Sequence, residues 1–509
     1  MPSALSYPGV YVEEIPSGVR TIVGVATSIA AFVGRTERGP IDTATTITSY
    51  GDFERTFGGL SANAPVAYAV RDFYLNGGGQ AVVVRLLSAA VSTGATGKAA
   101  GIAVTANSPG QWAKDWVAAL EPDGDLFTLT LQKPNPDDKD RPIVVESISA
   151  LSVDPNHRRA AAKVVAAASG YITLAVDNGA VNPAAGTKIT LAGGTANAAL
   201  ADPKRYTDGE KDKKGLFALE QTDLFNLLCI PPDTITGNTD KGVYAAAMAY
   251  CEKRRAMLIV DPPATWQSFE SGRMTITDPR KARNDDLGLS GTSARNAALY
   301  FPRVVQADPA QDNREGLFAP CGIVAGIFAK TDATRGVWKA PAGQDAGILG
   351  IRRLGVKLTD PENGLLNPVG INCLRSFSAS GNVIWGARTL RGDDQLADEY
   401  KYVPIRRLAL FIEESLYRGT QWAVFEPNDE PLWAQLRLNI GSFMRDLFRQ
   451  GAFQGLTPQQ AYLVKCDKET TTQSDINKGI VNVLVGFAPL KPAEFVVLKI
   501  QQLAGQIDT

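Results

Sequence analysis

The chain has 509 residues, which at roughly 150 per domain is about three domains, with length enough to bury several cores. Lys and Arg total 52 against 53 Asp and Glu, a formal net charge of -1, and this excludes the whole-chain electrostatic footprint of a nucleic-acid coat or a polybasic membrane binder. One histidine, His157, is present, so the commonest general base and metal ligand is missing from almost the entire chain.

The N-terminus runs through Tyr7, Pro8 and Gly9, a turn signal, into Val10, Tyr11, Val12, Glu13, Glu14 and Ile15, a short strand closed by Pro16, Ser17 and Gly18. It has no basic n-region ahead of a long apolar run, so no secretory signal is expected. From Arg20 the pattern predicts a buried strand covering residues 21–26 and 29–34. A short helix after Ser49 carries Phe53 and Phe57 one turn apart and stops at Gly58. A second helix has Val66, Ala69, Val70, Phe73 and Tyr74 on one stripe and ends at Asn76 and the glycines 77–79, before the strand at 81–87. Strand, two helices, strand is an α/β unit.

Residues 88–205 turn rich in Ala, Gly, Thr and Asp, with alternating segments at 126–131, 171–176 and 188–191. They read as a β-rich insertion into the α/β domain. Residues 202–214 read as a solvated charged loop. The α/β pattern resumes with strands at 224–230, 256–261 and 303–306, helices at 242–255 and 293–300, and the apolar run 323–329, a sheet covered by helices. A third unit is expected from 367, with strands at 371–376 and 382–386 and a helix at 407–418. The next helix is capped by Asn428 or Asp429, has Pro431 in its first turn, and ends at Gly451. Its apolar face is Leu432, Trp433, Leu436, Ile440, Phe443, Met444 and Leu447, and its opposite face shows Arg437, Arg445 and Arg449. Strands at 461–466 and 480–486 lead to a terminal arm after Pro492. In that arm Val496, Leu498 and Ile500 share one face, and Phe495, Val497 and Lys499 the other.

Little of this is catalytic equipment. The glycines 77–79 follow a helix and precede a strand, the reverse of a phosphate loop, so they are a helix stop. His157 lies in a polar loop with no G-x-S-x-G elbow anywhere to partner it. The acid pairs Glu13/Glu14, Asp137/Asp138, Asp393/Asp394 and Glu413/Glu414 are sequence neighbours whose side chains diverge, so they are solvated or ion-paired and not catalytic dyads. Cys229, Cys251, Cys321, Cys373 and Cys466 are odd in number, without C-x-x-C spacing, and fit a reducing compartment of synthesis, with no metal or other cofactor implied. No stretch reaches the roughly 18 apolar residues of a membrane span. Two strand-like arms remain at the chain ends, and pairing within the chain or with neighbours both satisfy their pattern. For the arginine face, plain solvation and a grip on an anionic protein surface are both open.

Taken in order along the chain, Tyr7 to Glu14, Ala31 to Gly34 with Gly39 and Pro40, Asn76 to Arg85, Ser108 to Trp112, Leu191 to Thr195, Gly326 and Arg335 to Gly343 resemble the contractile tail sheath family of phages and injection systems. The C-terminal matches are the most specific: Val383 to Leu390, Arg406 and Arg407, Phe425 to Asp429 with Trp433, and Pro492 to Phe495. Where the family runs Trp-Gly-Asn-Asp, this chain has Trp112, Ala113, Lys114 and Asp115. The resemblance implies a multidomain α/β and α+β protein: an N-terminal strand-exchange arm (1–20), a middle α/β domain (21–87 and 206–366), the β-rich outer insertion (88–205), a C-terminal inner domain (367–490) and a C-terminal arm (491–509). It implies a structural subunit, not an enzyme, that stacks with its own copies as hexameric rings or a six-start helix around a tail tube protein, with baseplate and tail terminator proteins as further partners. Nucleic acid and membrane insertion are not implied. Strand exchange would use Val10, Tyr11 and Val12 at one end and Phe495, Val496, Val497, Leu498 and Ile500 at the other; Arg437, Arg445 and Arg449 become candidate tube-facing residues. Assembly is expected in the cytoplasm of a host bacterium, and release as a virion tail or contractile particle. A non-contractile shell or surface-layer protein is the alternative, since it would share arms and neutrality.

Overall fold

The computed structural model describes residues 20–499 except 63, 89, 90, 92, 139 and 197. Val10, Tyr11, Val12 and Ile500 therefore lie outside the described residues. The described residues divide into two compact units, one formed by 26–335 with 340–406, the other by 20–25, 336–339 and 407–499.

The larger unit is built on an eight-stranded sheet. Its strands are β1 (Ala30–Gly34), β2 (Thr45–Ile47), β3 (Ala81–Arg85), β4 (Leu227–Cys229), β5 (Met257–Val260), β6 (Ala297–Phe301), β7 (Ile371–Phe377) and β8 (Gly381–Ile384), in the spatial order β2-β3-β1-β4-β5-β6-β7-β8. The six inner strands run parallel, with an antiparallel strand at each edge. Both faces are covered, which is why β1 and β3 read as unbroken apolar runs instead of alternating ones. On one face Ala31, Val33, Leu228 and Leu258 meet helix α3 (Lys241–Lys253). On the other, Ala30, Phe32 and Val83 meet α2 (Val66–Leu75) and α4 (Cys321–Arg335), with α1 (Tyr50–Phe57) beside them. The Ser49 hydroxyl caps α1 by accepting the Asp52 N–H, and α1 ends at Gly58 with φ +88°.

From β1 the chain builds outward to β3, then returns to β1's other side as β4. Ligands of open α/β sheets sit at such a reversal. Here Arg35, just past β1, and Asp233, past β4, occupy it as an ion pair of 2.9 Å with Arg35 2% exposed.

The insertion leaves after β3 and returns before β4. It holds two four-stranded antiparallel sheets, Thr187–Thr190, Val117–Asp123, Leu126–Lys133 and Ile143–Leu151 in one, Ala192–Gly193, Ala95–Ala99, Ile102–Ala106 and Ile172–Val176 in the other. Leu129, Leu131, Val104 and Ile172 share its core. A helix, Ala161–Ala168, adds to the expected strands. The Arg38 guanidinium joins the insertion to α1, lying 4.5 Å over Tyr171 and 5.3 Å over Trp112 while donating to the Glu54 and Arg55 carbonyls.

Four sequence expectations change. Residues 21–26 form no ladder; the strand begins at Ala30, and Val23 is 76% exposed. Residues 297–301 are strand β6, not helix, because five apolar residues carry no period that separates the two. The loop 202–214 includes a turn of helix, Lys204–Thr207, where Tyr206 is buried and Arg205 bonds the Leu87 carbonyl and Asp42. Strands β7 and β8, expected in the C-terminal unit, extend the large sheet, since the register Leu299↔Ile371 continues its parallel run; the smaller unit takes up the chain only from Arg407.

Candidate assembly surfaces

In the smaller unit, α5 (Val403–Gly419), which enters it at Arg407, and α6 (Glu430–Arg449) bury Leu408 and Ile412 against Ile440, Phe443, Met444 and Leu447. Asp429 caps α6 by accepting the Leu432 N–H, so of the two expected caps it is Asp429 that serves. Asn428 instead bridges, accepting from the Trp433 indole at 2.9 Å and donating to the Ile480 carbonyl at 3.0 Å. Gly451, at φ +81°, ends the helix.

Against this pair lies a two-stranded antiparallel sheet, β9 (Tyr462–Lys465) and β10 (Leu484–Phe487). Tyr462, Val464, Val485 and Phe487 point to the core, while Leu463 and Leu484 are each about half exposed. Among the described residues neither strand has a third partner, so both long edges offer unpaired N–H and C=O groups.

Past β10 a bridge from Phe453 to Pro489 and a 2.9 Å bond from the Gln454 N–H to the Ala488 carbonyl hold the chain. Beyond them residues 490–499 join no ladder. Phe495, Val496, Val497 and Leu498 are 76%, 80%, 77% and 81% exposed. Consecutive residues of an extended segment face opposite ways, so both of its faces are bare.

The three arginines of α6 separate into two kinds. Arg437 donates to Glu430 at 2.6 Å and to the Cys466 carbonyl, within its own unit. Arg445 and Arg449 are exposed and carry no ion pair among the described residues. The periodicity that grouped them says which face a residue occupies, not whether a loop from β9 has already taken it.

At the other end of the unit, Ile22 is buried against the α5/α6 core. The Arg20 N–H donates to Asn439 Oδ1 at 3.1 Å and the Val25 N–H to Ser415 Oγ at 3.2 Å. Asn439 and Ser415 are 1% and 0% exposed. Sequence reasoning passed over Asn439, although a polar residue inside the apolar stripe Leu436, Asn439, Ile440, Phe443 was the available signal.

His157 lies in a loop, its Nδ1 accepting the Arg159 N–H at 3.1 Å. Asp393 pairs with Arg280, Asp394 with Arg388 and Lys401, and Glu414 with Arg418. All five cysteines are buried free thiols, and burial pushes those of Cys251 and Cys373 up. Among the described residues no helix is long and apolar enough to cross a membrane.

The model of the phage tail sheath protein central domain matches residues 208–390, and that of the phage tail sheath C-terminal domain residues 397–502. A tail sheath protein of Vibrio phage KVP40 is 27% identical over 35% of this chain and 25% of its own length. A putative prophage major tail sheath protein of Pseudomonas aeruginosa is 28% identical over 51% of this chain and 61% of its own. The chain therefore matches less than two thirds of the length of either curated relative. In three dimensions it is similar to the anti-feeding prophage helical sheath in its contracted state, with a TM-score of 0.58 and 25% identity over 98% of this chain and 100% of that one. With two sheath-domain models covering more than half of its residues in sequence order, the chain belongs to the phage tail sheath family.

Proposed function

We propose that the chain is the repeating subunit of a contractile sheath, held extended and metastable around a rigid tube and shortening to drive that tube through a cell envelope. The observation that carries this reading is the bare apolar segment 495–498 in a unit whose two-stranded sheet has two open edges. Two arms and two edges match in number: Val10, Tyr11 and Val12 of one copy and Phe495 to Ile500 of another complete β9 and β10 of a third. Main-chain pairing keeps its bonds while rigid bodies tilt, because it depends on no side-chain geometry. About 100 Å² of extra apolar burial on contraction, at about 25 cal/mol per Å², supplies about 2.5 kcal/mol per subunit and sums along a polymer. The work is mechanical and involves no catalysis. Assembly takes place in the cytoplasm of the producing bacterium, from copies of this chain with tube, baseplate and terminator proteins.

Negative-stain microscopy of the assembled protein should show striated cylinders of two lengths; a closed shell or uniform small particles would overturn the reading. Deleting residues 1–18 should leave a folded subunit that forms no stable cylinders, and normal cylinders from that variant would remove the arms from the mechanism.

Arg445 and Arg449 form the surface offered to an anionic tube. Arg445→Glu with Arg449→Glu should weaken binding of the extended sheath to its tube, most at low salt and less as salt rises, with the melting temperature of the subunit unchanged. Arg437→Glu should instead lower that melting temperature, since it breaks the contacts with Glu430 and Cys466. Equal tube retention by wild type and the double variant would refute the assignment.

A further inference from the structure

We propose that Asn439 and Ser415 form a main-chain clamp that fixes where the N-terminal arm leaves the subunit, an inference that rests on the arm-exchange reading above. Residues 20–25 cross the α5/α6 pair as an extended strap without a strand beside it. An extended strap needs partners for its N–H groups, and two side chains reach up from the helices to supply them. Asn439 Oδ1 takes the Arg20 N–H at 3.1 Å, and Ser415 Oγ takes the Val25 N–H at 3.2 Å.

Both side chains sit on apolar helix faces and are almost wholly buried. A buried polar group on such a face is costly unless paired, so packing of α5 on α6 gives no reason for either. The strap does. Asn439 Nδ2 is buried with no acceptor among the described residues. It is a second donor held next to Arg20, suited to a main-chain carbonyl at the arm's root.

Shape adds to the bonds. Ile22 lies over Gly419, where a Cβ would fall 2.6 Å from its side chain, and Gly24 lies under Phe411, where a Cβ would fall 2.8 Å from the ring. The Arg20 guanidinium rests 4.5 Å over Trp422. The strap cannot slide by a residue without driving the side chain of Thr21 or Val23 into the space that fits only Ile22. This sets the register of the exit, so that the length of chain ahead of Arg20 starts from a fixed point. Pull on that length passes into α5 and α6 at two buried points, and not into the loop that continues to β1.

The test uses the full chain with Asn439→Leu and Ser415→Ala, singly and together. Hydrogen exchange of the free subunit should quicken about tenfold or more at the Arg20 and Val25 amides in the double variant, while α5 and α6 keep their protection. Unchanged exchange at both amides overturns the clamp. The same variant should form fewer and shorter cylinders than wild type at equal subunit melting temperature. Faster exchange with wild-type cylinders overturns the role in arm positioning. Failure of arm exchange itself is seen separately, as normal cylinders after deletion of 1–18, a result that does not touch the exchange measurement.

Discussion

Gly322→Ala or Gly326→Ala should each destabilise the larger unit by about 3 kcal/mol, and the double variant should fail to fold. Both glycines lie on α4, one turn apart, against Ala69 and Phe73 of α2. A Cβ at 322 would stand 2.0 Å from the Ala69 carbonyl oxygen and 2.7 Å from its Cα; at 326 it would stand 2.5 Å from the Phe73 carbonyl oxygen. These contacts are backbone atoms of a buried helix, which no rotamer change relieves, so the two helices must part and break their packing on β1, β4 and β5. Gly364→Ala is the control. It lies in the short helix Asp360–Leu366 with open space where the methyl would go, so the change should stabilise by up to about 1 kcal/mol through helix propensity alone. Urea melts of the three single variants decide it; a Gly322→Ala chain as stable as wild type would show that the helices do not cross at contact distance.

Gly326 stood out in the sequence only by resemblance, and the crossing supplies its physical reason. The same division runs through the molecule. Wherever a local rule suffices, the sequence was readable: the Ser49 cap with Phe53 and Phe57, the Asp429–Pro431 start of α6, and the apolar runs that became β1, β3 and β5. What escaped depends on distant partners. Residues 20–25 look like strand because Ile22, Gly24 and their neighbours are apolar or small, yet their main chain is answered by side chains some 400 positions away, Ser415 and Asn439. Strands β7 and β8 could be recognised as strands but not assigned to a sheet, since sheet membership is decided by the register with β6. For the assembly surface, the apolar pattern of 495–498 was plain, while its lack of a partner among the described residues shows only in the fold.

Arg303→Met should cost about 3–5 kcal/mol and move the pH dependence of stability upward, because this guanidinium does two things at once. It is 1% exposed and donates to the carbonyls of Pro262, Ile235 and Gly237 and to Asn238 Oδ1, at 2.8–3.2 Å. Removing it takes the donor from the buried Pro262 carbonyl and from the half-buried carbonyls of Ile235 and Gly237, around the ends of β4 and β5. It also faces Asp261 across a cavity of about 130 Å³. Asp261 is buried, its Oδ1 accepting the Cys321 N–H at 2.8 Å and its Oδ2 without a partner among the described residues. Burial pushes its carboxyl up to about 6, against the opposing pull of Cys321 and Arg303. Above its unfolded value the folded state thus holds a proton that the unfolded chain has released. Its contribution is complete below about pH 4, declines as pH rises through about 6, and is level beyond, a difference on the order of 3 kcal/mol. Without Arg303 the carboxyl should rise further and the decline extend past pH 6. Asp261→Asn keeps an oxygen for Cys321 and carries no charge, so that variant should gain on wild type between pH 4 and 7, with the gain largest at neutral pH. Denaturant melts of wild type, Asp261→Asn and Arg303→Met at pH 5 and 7.5 measure both effects. A wild type and Asp261→Asn pair whose difference is the same at the two pH values would show that Asp261 does not titrate in this window.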